Sequence, residues 1–204
     1  MRGVLILENA SNRAHLRGTL GSPPRFSHEG RDGTYLTFSL SVERLSGVCD
    51  EVNVVARSSL LEGLSPEEAD KIDVVGEIRS FNNKSGVGSR LVITLFAKEL
   101  SFSDGEDEND VALSGVLCKP PVCRRTPMGR IICDMLLAVP RVYGRSDYLP
   151  CIAWGKTAEE TARLGVGDAL TLRGRLQSRR YVKAAENGPE ERVAFEVSVV
   201  STGE

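Results

Sequence analysis

Apolar and polar residues alternate along several short stretches of this chain, and this alternation predicts half-buried strands. In residues 34–43 every second side chain is apolar, at Leu36, Phe38, Leu40 and Val42. In residues 169–176 the apolar positions are Leu170, Leu172 and Leu176, and the positions between them carry polar or charged side chains or glycine. Stretches of this kind place one face of a sheet against a core and the other against solvent.

The first half of the chain predicts five strands, at residues 14–20, 34–43, 51–57, 72–78 and 90–100. Ser65-Pro66-Glu67-Glu68 has serine, proline and glutamate in the order of a capping box. This order predicts a short helix between the third and fourth strands. The polar, glycine-containing residues 82–89 predict a hairpin tip before the last strand.

The second half follows the same plan, with strands at residues 111–117, 130–139, 148–154, 169–176 and 192–200. A helix is predicted over residues 156–164, and Gly165 and Gly167 end it. Gly174 interrupts its strand, which indicates a bulge or a close backbone approach. Residues 186–190 predict the second hairpin tip.

The two halves are related by a repeat. Eight residues have counterparts 97 positions later: Gly18, Pro23, Pro24, Phe38, Val42, Arg44, Gly47 and Ala56 match Gly115, Pro120, Pro121, Met135, Val139, Arg141, Gly144 and Ala153. After a one-residue slip, Gly76 and Ser80 match Gly174 and Ser178 at an offset of 98. A constant offset over so many positions indicates two similar domains in tandem.

Five strands with a helix between the third and fourth are the arrangement of an OB-fold. The predicted fold class is therefore all-β with short helices, as two tandem five-stranded Greek-key OB-fold barrels. The acidic residues 103–110 serve as the linker. The predicted domains are residues 1–102, residues 103–110 as the linker, and residues 111–204.

One predicted sheet face of the second half combines aromatic rings with guanidinium groups. Its members are Tyr148, Trp154, Arg173, Arg175, Arg179 and Tyr181. Rings of this kind stack on unpaired bases, and arginines neutralise the phosphates between them. The alternative is that the rings fill a core, but the arginines interleaved with them would not be buried unpaired.

The same region resembles the bacterial single-stranded DNA-binding protein family. The resemblance covers about residues 109–200 and lies in four motifs: VALSGVLCKPPVCRRTPMGR, LLAVPRVYG, YLPCIAWGKTAEE and LRGRLQSRRY. It implies an OB-fold, and it places the stacking rings of the family on Tyr143, Tyr148, Trp154 and Tyr181. The implied phosphate contacts are Arg124, Arg125, Lys156, Arg173, Arg175, Arg179 and Arg180.

The resemblance also implies a function. Such a protein binds single-stranded DNA with little sequence preference and protects it during replication, recombination and repair. Members with one barrel per chain form tetramers, so two barrels per chain predict a homodimer with four OB-folds. The family usually ends in a long tail with an acidic tip that recruits replication enzymes, whereas this sequence stops directly after its last predicted strand. We therefore do not expect that recruiting role.

The first copy differs from the second where the rings lie. Arg57, Glu51 and Ser46 stand where the second copy has Trp154, Tyr148 and Tyr143, and Asn83 is the nearest counterpart of Tyr181, with Phe81 two residues away. The first copy therefore predicts weak or no strand binding and a role mainly in assembly.

Charge supports this division. The net charge of the chain is −2, which alone argues against a nucleic-acid binder. Residues 1–108 hold 12 Lys+Arg and 17 Asp+Glu, a balance of −5, whereas residues 109–204 hold 14 and 11, a balance of +3. The attraction for phosphate is therefore expected in the second half. No apolar run is long enough for a membrane span and no signal peptide is recognisable, which predicts a cytoplasmic, nucleoid-associated protein without membrane partners.

The cysteines and carboxylates predict neither a metal site nor an active site. The five cysteines are irregularly spaced and the two histidines lie in the other half from most of them, so we expect no zinc. Cys133 and Cys151 lie in apolar runs, where free cysteine acts as a small hydrophobic residue. We expect no cofactor and no enzyme activity. The alternatives are an RNA-binding or primosome-accessory OB-fold protein, or an adaptor whose barrels have lost ligand binding.

Overall fold

The structure is a computed structural model that describes residues 12–84, 89–142, 144–185 and 188–203. Two five-stranded barrels, each with one additional short edge strand, form one continuous 12-stranded sheet. This confirms the predicted tandem OB-fold class. In the first barrel the strands are β1 (Asn12–Leu20), β2 (Arg25–Gly30), β3 (Gly33–Glu43), β4 (Cys49–Arg57), β5 (Lys71–Asn82) and β6 (Leu91–Phe102).

The second barrel repeats this order. Its strands are β7 (Glu108–Leu117), β8 (Val122–Arg125), β9 (Ile131–Pro140), β10 (Ser146–Trp154), β11 (Ala169–Ala185) and β12 (Gly188–Thr202), with helix α1 (Gly155–Thr161) between β10 and β11. The long antiparallel pairs β5–β6 and β11–β12 extend beyond the barrels. We call them the first ribbon, residues 71–102, and the second ribbon, residues 169–202.

The two edge strands β2 and β8 were not predicted. Both are exposed along almost their whole length, so neither has the alternation of buried and exposed positions that the sequence criteria require.

The capping-box prediction at Ser65 was wrong. In place of an α-helix, the first barrel has a 3₁₀ turn at Ser58–Leu60 followed by irregular turns. Ser65 has φ of 41° and Ala69 has φ of 75°, whereas a helix N-cap needs an extended backbone. The second barrel does form its helix, because Ala158 is buried against β9 and β10.

The two barrels join by antiparallel pairing of β1 with β7. Ala14 lies opposite Val111, the residue 97 positions later in the repeat. Asn12 pairs with Leu113, and their repeat counterparts, Asn109 and Leu16, also pair with each other. A local two-fold axis therefore passes between Ala14 and Val111, and the chain has the isologous symmetry of a dimer within one polypeptide.

The core of each barrel is formed by the inward-facing side chains at every second position of its strands. The largest fully buried side chains include Phe38, Leu40 and Ile72 in the first barrel and Leu113, Leu137 and Leu172 in the second. Gly174 confirms the expected close approach, since the β11–β12 register shifts beside it and a Cβ there would lie 2.4 Å from the carbonyl oxygen of Ser198.

Cys133 differs from its expected state as a free cysteine. It forms a disulfide with Cys123, its cross-strand neighbour in the β8–β9 pair. Cys49, Cys118 and Cys151 are free thiols, and burial raises the pKa of the Cys151 thiol to about 12. Within the described ranges, no helix is long and apolar enough to cross a membrane.

Candidate nucleic-acid interface

Tyr148 and Trp154 point outward from the same face of β10. The buried positions of this strand are Asp147, Leu149, Cys151 and Ala153 on its inner side, and Ile152 on its outer side. Tyr148 is 50% exposed and Trp154 is 37% exposed. Because they lie six residues apart on an alternating strand, both rings face away from the core. These two rings therefore do not belong to the core.

The end of β10 fixes the position of Trp154. Gly155 follows it with φ of 56°, a left-handed conformation that glycine adopts without strain, and the chain turns there into α1. Lys156 lies in the first turn of this helix, 90% exposed and 3.8 Å from Glu160. The tryptophan ring and this ammonium group are thus close along the chain at the exposed edge of the second barrel.

The neighbouring strands place an arginine in the same row as Trp154. Trp154 lies opposite Ile132 of β9, and Ile132 lies opposite Arg124 of β8. Arg124 pairs with Asp134, and Arg125 donates a hydrogen bond to the carbonyl oxygen of Gly129 at 3.3 Å. Both guanidinium groups are exposed on the edge strand.

β11 carries most of the remaining predicted residues on one side. Leu170, Leu172 and Leu176 are buried on the inner side. The outer side carries Arg173, Arg175, Arg179 and Tyr181.

The parity of the strand puts Arg180 on the opposite side from Arg179. The ion pairs agree, because Arg179 lies 3.7 Å from Glu196 and Arg180 lies 3.6 Å from Glu191, two carboxylates on opposite faces of the ribbon. Arg180 shares its side with Ser178, which contacts the first barrel. Arg180 therefore lies apart from the other predicted residues of β11, and the same parity separates Arg125, opposite Ile131, from Arg124, opposite Ile132. Tyr143 lies outside the described residues.

Most of these cations have a carboxylate partner at the surface. Arg173, for example, lies 2.9 Å from Asp110 with its side chain 65% exposed. An exposed pair of this kind contributes about 0–1 kcal/mol, so a phosphate can replace the carboxylate at little cost. Arg175 is exposed and forms no ion pair within the described part of the chain.

The corresponding face of the first barrel is arranged differently. Arg57 and Glu51 are exposed on β4 where the second barrel has its two rings. Tyr35 is only 7% exposed and stacks on His28, with ring centroids 4.9 Å apart and planes at 7°. Phe96 packs against Tyr35, and Arg79 and Lys98 lie over the Phe96 ring. These rings have partners within the protein.

The contacts that hold the two barrels together beside the rings could not be predicted from the sequence. The backbone N–H of Tyr148 donates to the hydroxyl of Ser80 at 2.8 Å, and the N–H of Ser80 donates to Asp147 at 2.5 Å. The carbonyl oxygen of Ser80 accepts from Arg141 at 3.0 Å. The only signal in the sequence was the match of Ser80 with Ser178 in the repeat, and this match did not indicate that either serine contacts the other barrel. The described residues contain no cluster of His, Cys, Asp or Glu suited to a metal ion.

Comparison with known proteins agrees with this geometry. Residues 108–202 match the model of the single-strand binding protein family. Over 80 residues the chain is 38% identical to the single-stranded DNA-binding protein B of Bacillus subtilis, a match that covers 36% of this chain and 71% of the relative. It is 36% identical over 80 residues to the single-stranded DNA-binding protein of Clostridium tetani, covering 36% of this chain but only 55% of that relative.

The two-barrel arrangement also occurs in a solved structure. The wild-type single-stranded DNA-binding protein from Thermus aquaticus superposes with a TM-score of 0.76, at 24% identity, over 95% of this chain and 92% of that one. At this identity the likeness concerns the fold. It covers both barrels, whereas the family model covers the second alone.

Proposed function

We propose that this chain, which belongs to the single-strand binding protein family, binds single-stranded DNA on the outer face of its second barrel. The observation that carries the proposal is the placement of Tyr148 and Trp154, both exposed on one face of β10. Arg124, Lys156, Arg173, Arg175, Arg179 and Tyr181 complete the proposed surface.

Binding would depend on two sequence-tolerant interactions. Every base has a π-face, so stacking on Tyr148 or Trp154 contributes roughly 1–3 kcal/mol per base with little preference among bases. The arginines on the outer side of β11 would neutralise phosphates and release counterions, which makes the affinity fall with salt. Neither interaction involves chemistry on the nucleic acid, so the proposed activity is binding and protection.

The wider role follows from the family. We propose that the protein protects single strands during replication, recombination and repair, in the bacterial cytoplasm and nucleoid. The β4 face of the first barrel would serve mainly in assembly, because it carries Glu51 and Arg57 instead of rings. We also propose a homodimer with four barrels. Light scattering checks this, with an expected mass of twice the 22.2 kDa of one chain.

Trp154 is the only tryptophan of the chain, and its fluorescence provides the direct test. Titration with oligo-dT at low salt should quench this emission, and unquenched emission at saturating oligo-dT would contradict the proposal. The double variant Tyr148→Ala/Trp154→Ala, followed by anisotropy of fluorescein-labelled oligo-dT, should lose at least about 30-fold in affinity if each ring contributes about 1 kcal/mol.

The matched control is Phe102→Ala, which removes a ring that is 48% exposed at the end of β6, away from the proposed face. It should bind as the unaltered protein does. Competition of unlabelled oligo-U against labelled oligo-dT separates the RNA alternative, since equal or better competition by oligo-U would favour it.

A further inference from the structure

The Cys123–Cys133 disulfide joins the edge strand of the second barrel to the core. Cys133 is fully buried on β9, whereas Cys123 is exposed on β8. The two residues lie directly opposite each other in the β8–β9 pair, with a sequence separation of 10. The bond therefore links a strand at the end of the sheet to a strand whose side chains form the core.

Side-chain packing contributes little to the position of β8. All four residues of this strand are exposed, and within the described ranges it pairs with β9 alone. A short two-stranded ladder without a buried face is marginally stable in water. The ion pair of Arg124 with Asp134 is exposed as well, and pairs of this kind add little stability. The disulfide is therefore what fixes β8 on the barrel.

Fixing β8 also fixes Arg124. Cys123 shares the inner side of the sheet with Cys133, so Arg124, the next residue, points to the outer side. There it lies in one row with Ile132 and Trp154. The disulfide thus holds a guanidinium group in the row of the tryptophan ring.

The first barrel has no such bond. By the repeat offset of 97, Cys123 and Cys133 correspond to Phe26 and Leu36, which also lie opposite each other, in β2 and β3. There β2 is held in addition by the stacking of His28 on the Tyr35 ring. The OB-fold itself therefore does not require a disulfide at this position, and the bond belongs to the barrel that carries the proposed DNA-binding face.

We propose that the Cys123–Cys133 bond is a reversible redox switch of single-strand binding. In the oxidised protein β8 is fixed and Arg124 is held in place for a phosphate beside Trp154. In the reduced protein β8 separates from β9 and this contact is lost. The inference rests on the proposed function, because disulfides in a reducing cytoplasm are usually transient and serve catalysis or redox sensing.

The exposed position of Cys123 gives a reductant access to the bond. A thiolate of a dithiol reductant attacks the Sγ atom of Cys123, the S–S bond breaks, and Cys133 leaves as a thiolate that takes up a proton. The second thiol of the reductant then attacks the mixed disulfide and releases Cys123 as a thiolate. The reductant becomes a disulfide and two electrons pass to the protein. A disulfide oxidant of the same class reverses both steps.

Binding in the two redox states is the main test. Anisotropy of labelled oligo-dT compares protein kept without reductant with protein equilibrated with dithiothreitol. Reduction should weaken binding roughly 2- to 10-fold, the range for a side chain that must be ordered on binding. It should also reduce the slope of log affinity against log salt by about 0.7, or one phosphate contact. Equal affinities and slopes in the two states would overturn the proposal.

A count of free thiols verifies each state. Iodoacetamide under denaturing conditions should find three thiols before treatment with dithiothreitol and five after it. Both treatments are applied to the native protein before it is denatured. A bond that stays closed in excess dithiothreitol, or that does not form again in oxidised dithiothreitol, also overturns the switch.

Arg124 and Arg125 provide a matched pair of variants. Arg124→Gln should bind oligo-dT equally in both redox states, because it removes the side chain that the bond positions. Arg125→Gln removes the same charge from the other side of β8 and should keep the full response to reduction. A response that persists in Arg124→Gln would contradict the proposed positioning of this residue.

Two cysteine variants separate the bond from other effects of the reductant. Cys123→Ser should bind with the affinity of the reduced protein, with or without dithiothreitol. Cys123→Phe/Cys133→Leu has the apolar pair of the first barrel, which keeps the buried position of β9 apolar, and it should not respond to dithiothreitol either. A response in either variant would show that the Cys123–Cys133 bond is not the switch.

The outcomes also separate this inference from the proposed function. If neither redox state binds oligo-dT, the proposed function fails. If both states bind with the same affinity and Tyr148→Ala/Trp154→Ala loses binding, only the redox switch is overturned.

Discussion

Asp50 of the first barrel accepts hydrogen bonds from both the backbone N–H and the hydroxyl of Ser178 in the second barrel, at 2.7 and 2.6 Å. Arg44 binds the same carboxylate at 2.5 and 2.6 Å and also donates to the carbonyl oxygen of Ser178 at 2.7 Å. The local two-fold axis repeats this contact with Asp147, Ser80 and Arg141. Each barrel thus holds the other's ribbon by one buried carboxylate.

The Asp50 contact should be important for stability. The Asp50 side chain is fully buried, and the Arg44 side chain is 29% exposed. Asp50→Asn removes the charge that compensates Arg44 and should lower the free energy of unfolding by about 3 kcal/mol, near the lower end for a broken buried pair. Urea denaturation followed by circular dichroism measures this. Asp32→Asn is the control, because Asp32 is 68% exposed and 3.5 Å from Arg57, and its loss should cost less than about 1 kcal/mol.

Stability should fall in acid for the same reason. Burial would raise the pKa of Asp50, but hydrogen bonds from Arg44 and Ser178 outweigh it and hold the pKa below its usual value. At Asp73 burial also raises the pKa, but hydrogen bonds from Arg17 and His15 outweigh this effect and lower the pKa below its usual value. A carboxylate with a lowered pKa stabilises the fold above its unfolded pKa of about 3.9, and this stabilisation is lost as the pH falls through the folded pKa.

The urea midpoint should therefore decrease steadily below about pH 5. Asp50→Asn should show a shallower decrease than the unaltered protein. Parallel curves for the two proteins would mean that Asp50 is not held in its charged form by the contact.

The salt dependence of DNA binding should depend on which side of β11 an arginine occupies. Arg175→Gln should reduce the slope of log affinity against log salt by about 0.7, because it removes one phosphate contact on the outer side. Arg180→Gln removes the same charge from the opposite side of the strand, 3.6 Å from Glu191, and should leave the slope nearly unchanged. Equal slopes for the two variants would contradict the outer-side surface.

Gly174 should tolerate no larger side chain. A Cβ at this position would lie 2.4 Å from the carbonyl oxygen of Ser198, so Gly174→Ala should cost about 1–3 kcal/mol of unfolding free energy. Gly165→Ala provides the comparison, since its nearest contact would be at 3.8 Å, and it should change stability by less than about 0.5 kcal/mol. Thermal unfolding of both variants makes the measurement.

The thiols should react in a defined order. Denatured, unreduced protein should take up three equivalents of iodoacetamide by mass spectrometry, at Cys49, Cys118 and Cys151, and five after reduction. In the native protein Cys49 should react and Cys151 should not, because burial raises the pKa of Cys151 to about 12. Five equivalents without reductant would show that Cys123 and Cys133 are free.

An element could be predicted from the sequence when its own residues alternate between apolar and polar side chains. β3, β10 and β11 alternate buried with less buried positions along most of their length, so their patterns were sufficient. The edge strand β8 has no buried position and left no periodic signal. The capping box at Ser65 failed because the turns around it adopt positive φ at Ser65 and Ala69, and local propensity is readily overridden by tertiary context.

The candidate site divides in the same way. Tyr148 and Trp154 could be predicted to share a face, because positions an even number of residues apart on one strand point the same way. Arg180 was grouped with Arg179 through the family resemblance, and the parity of β11 separates them. The placement of Ser80 beside Tyr148 depends on a hydrogen bond between residues 68 positions apart. No local pattern encodes such a contact.

The sequence by itself determined the two barrels, their repeat and the outward rings of the second barrel, because periodicity, turn residues and counterparts at a fixed offset are properties of the chain as written. Only the tertiary structure decided that Ala14 meets Val111 on a two-fold axis and that Asp50 and Asp147 hold the opposite ribbons. It also decided that the first ribbon lies beside Tyr148. These relationships arise from β1–β7 pairing, and the register of such a pair is chosen by the packing of both barrels together.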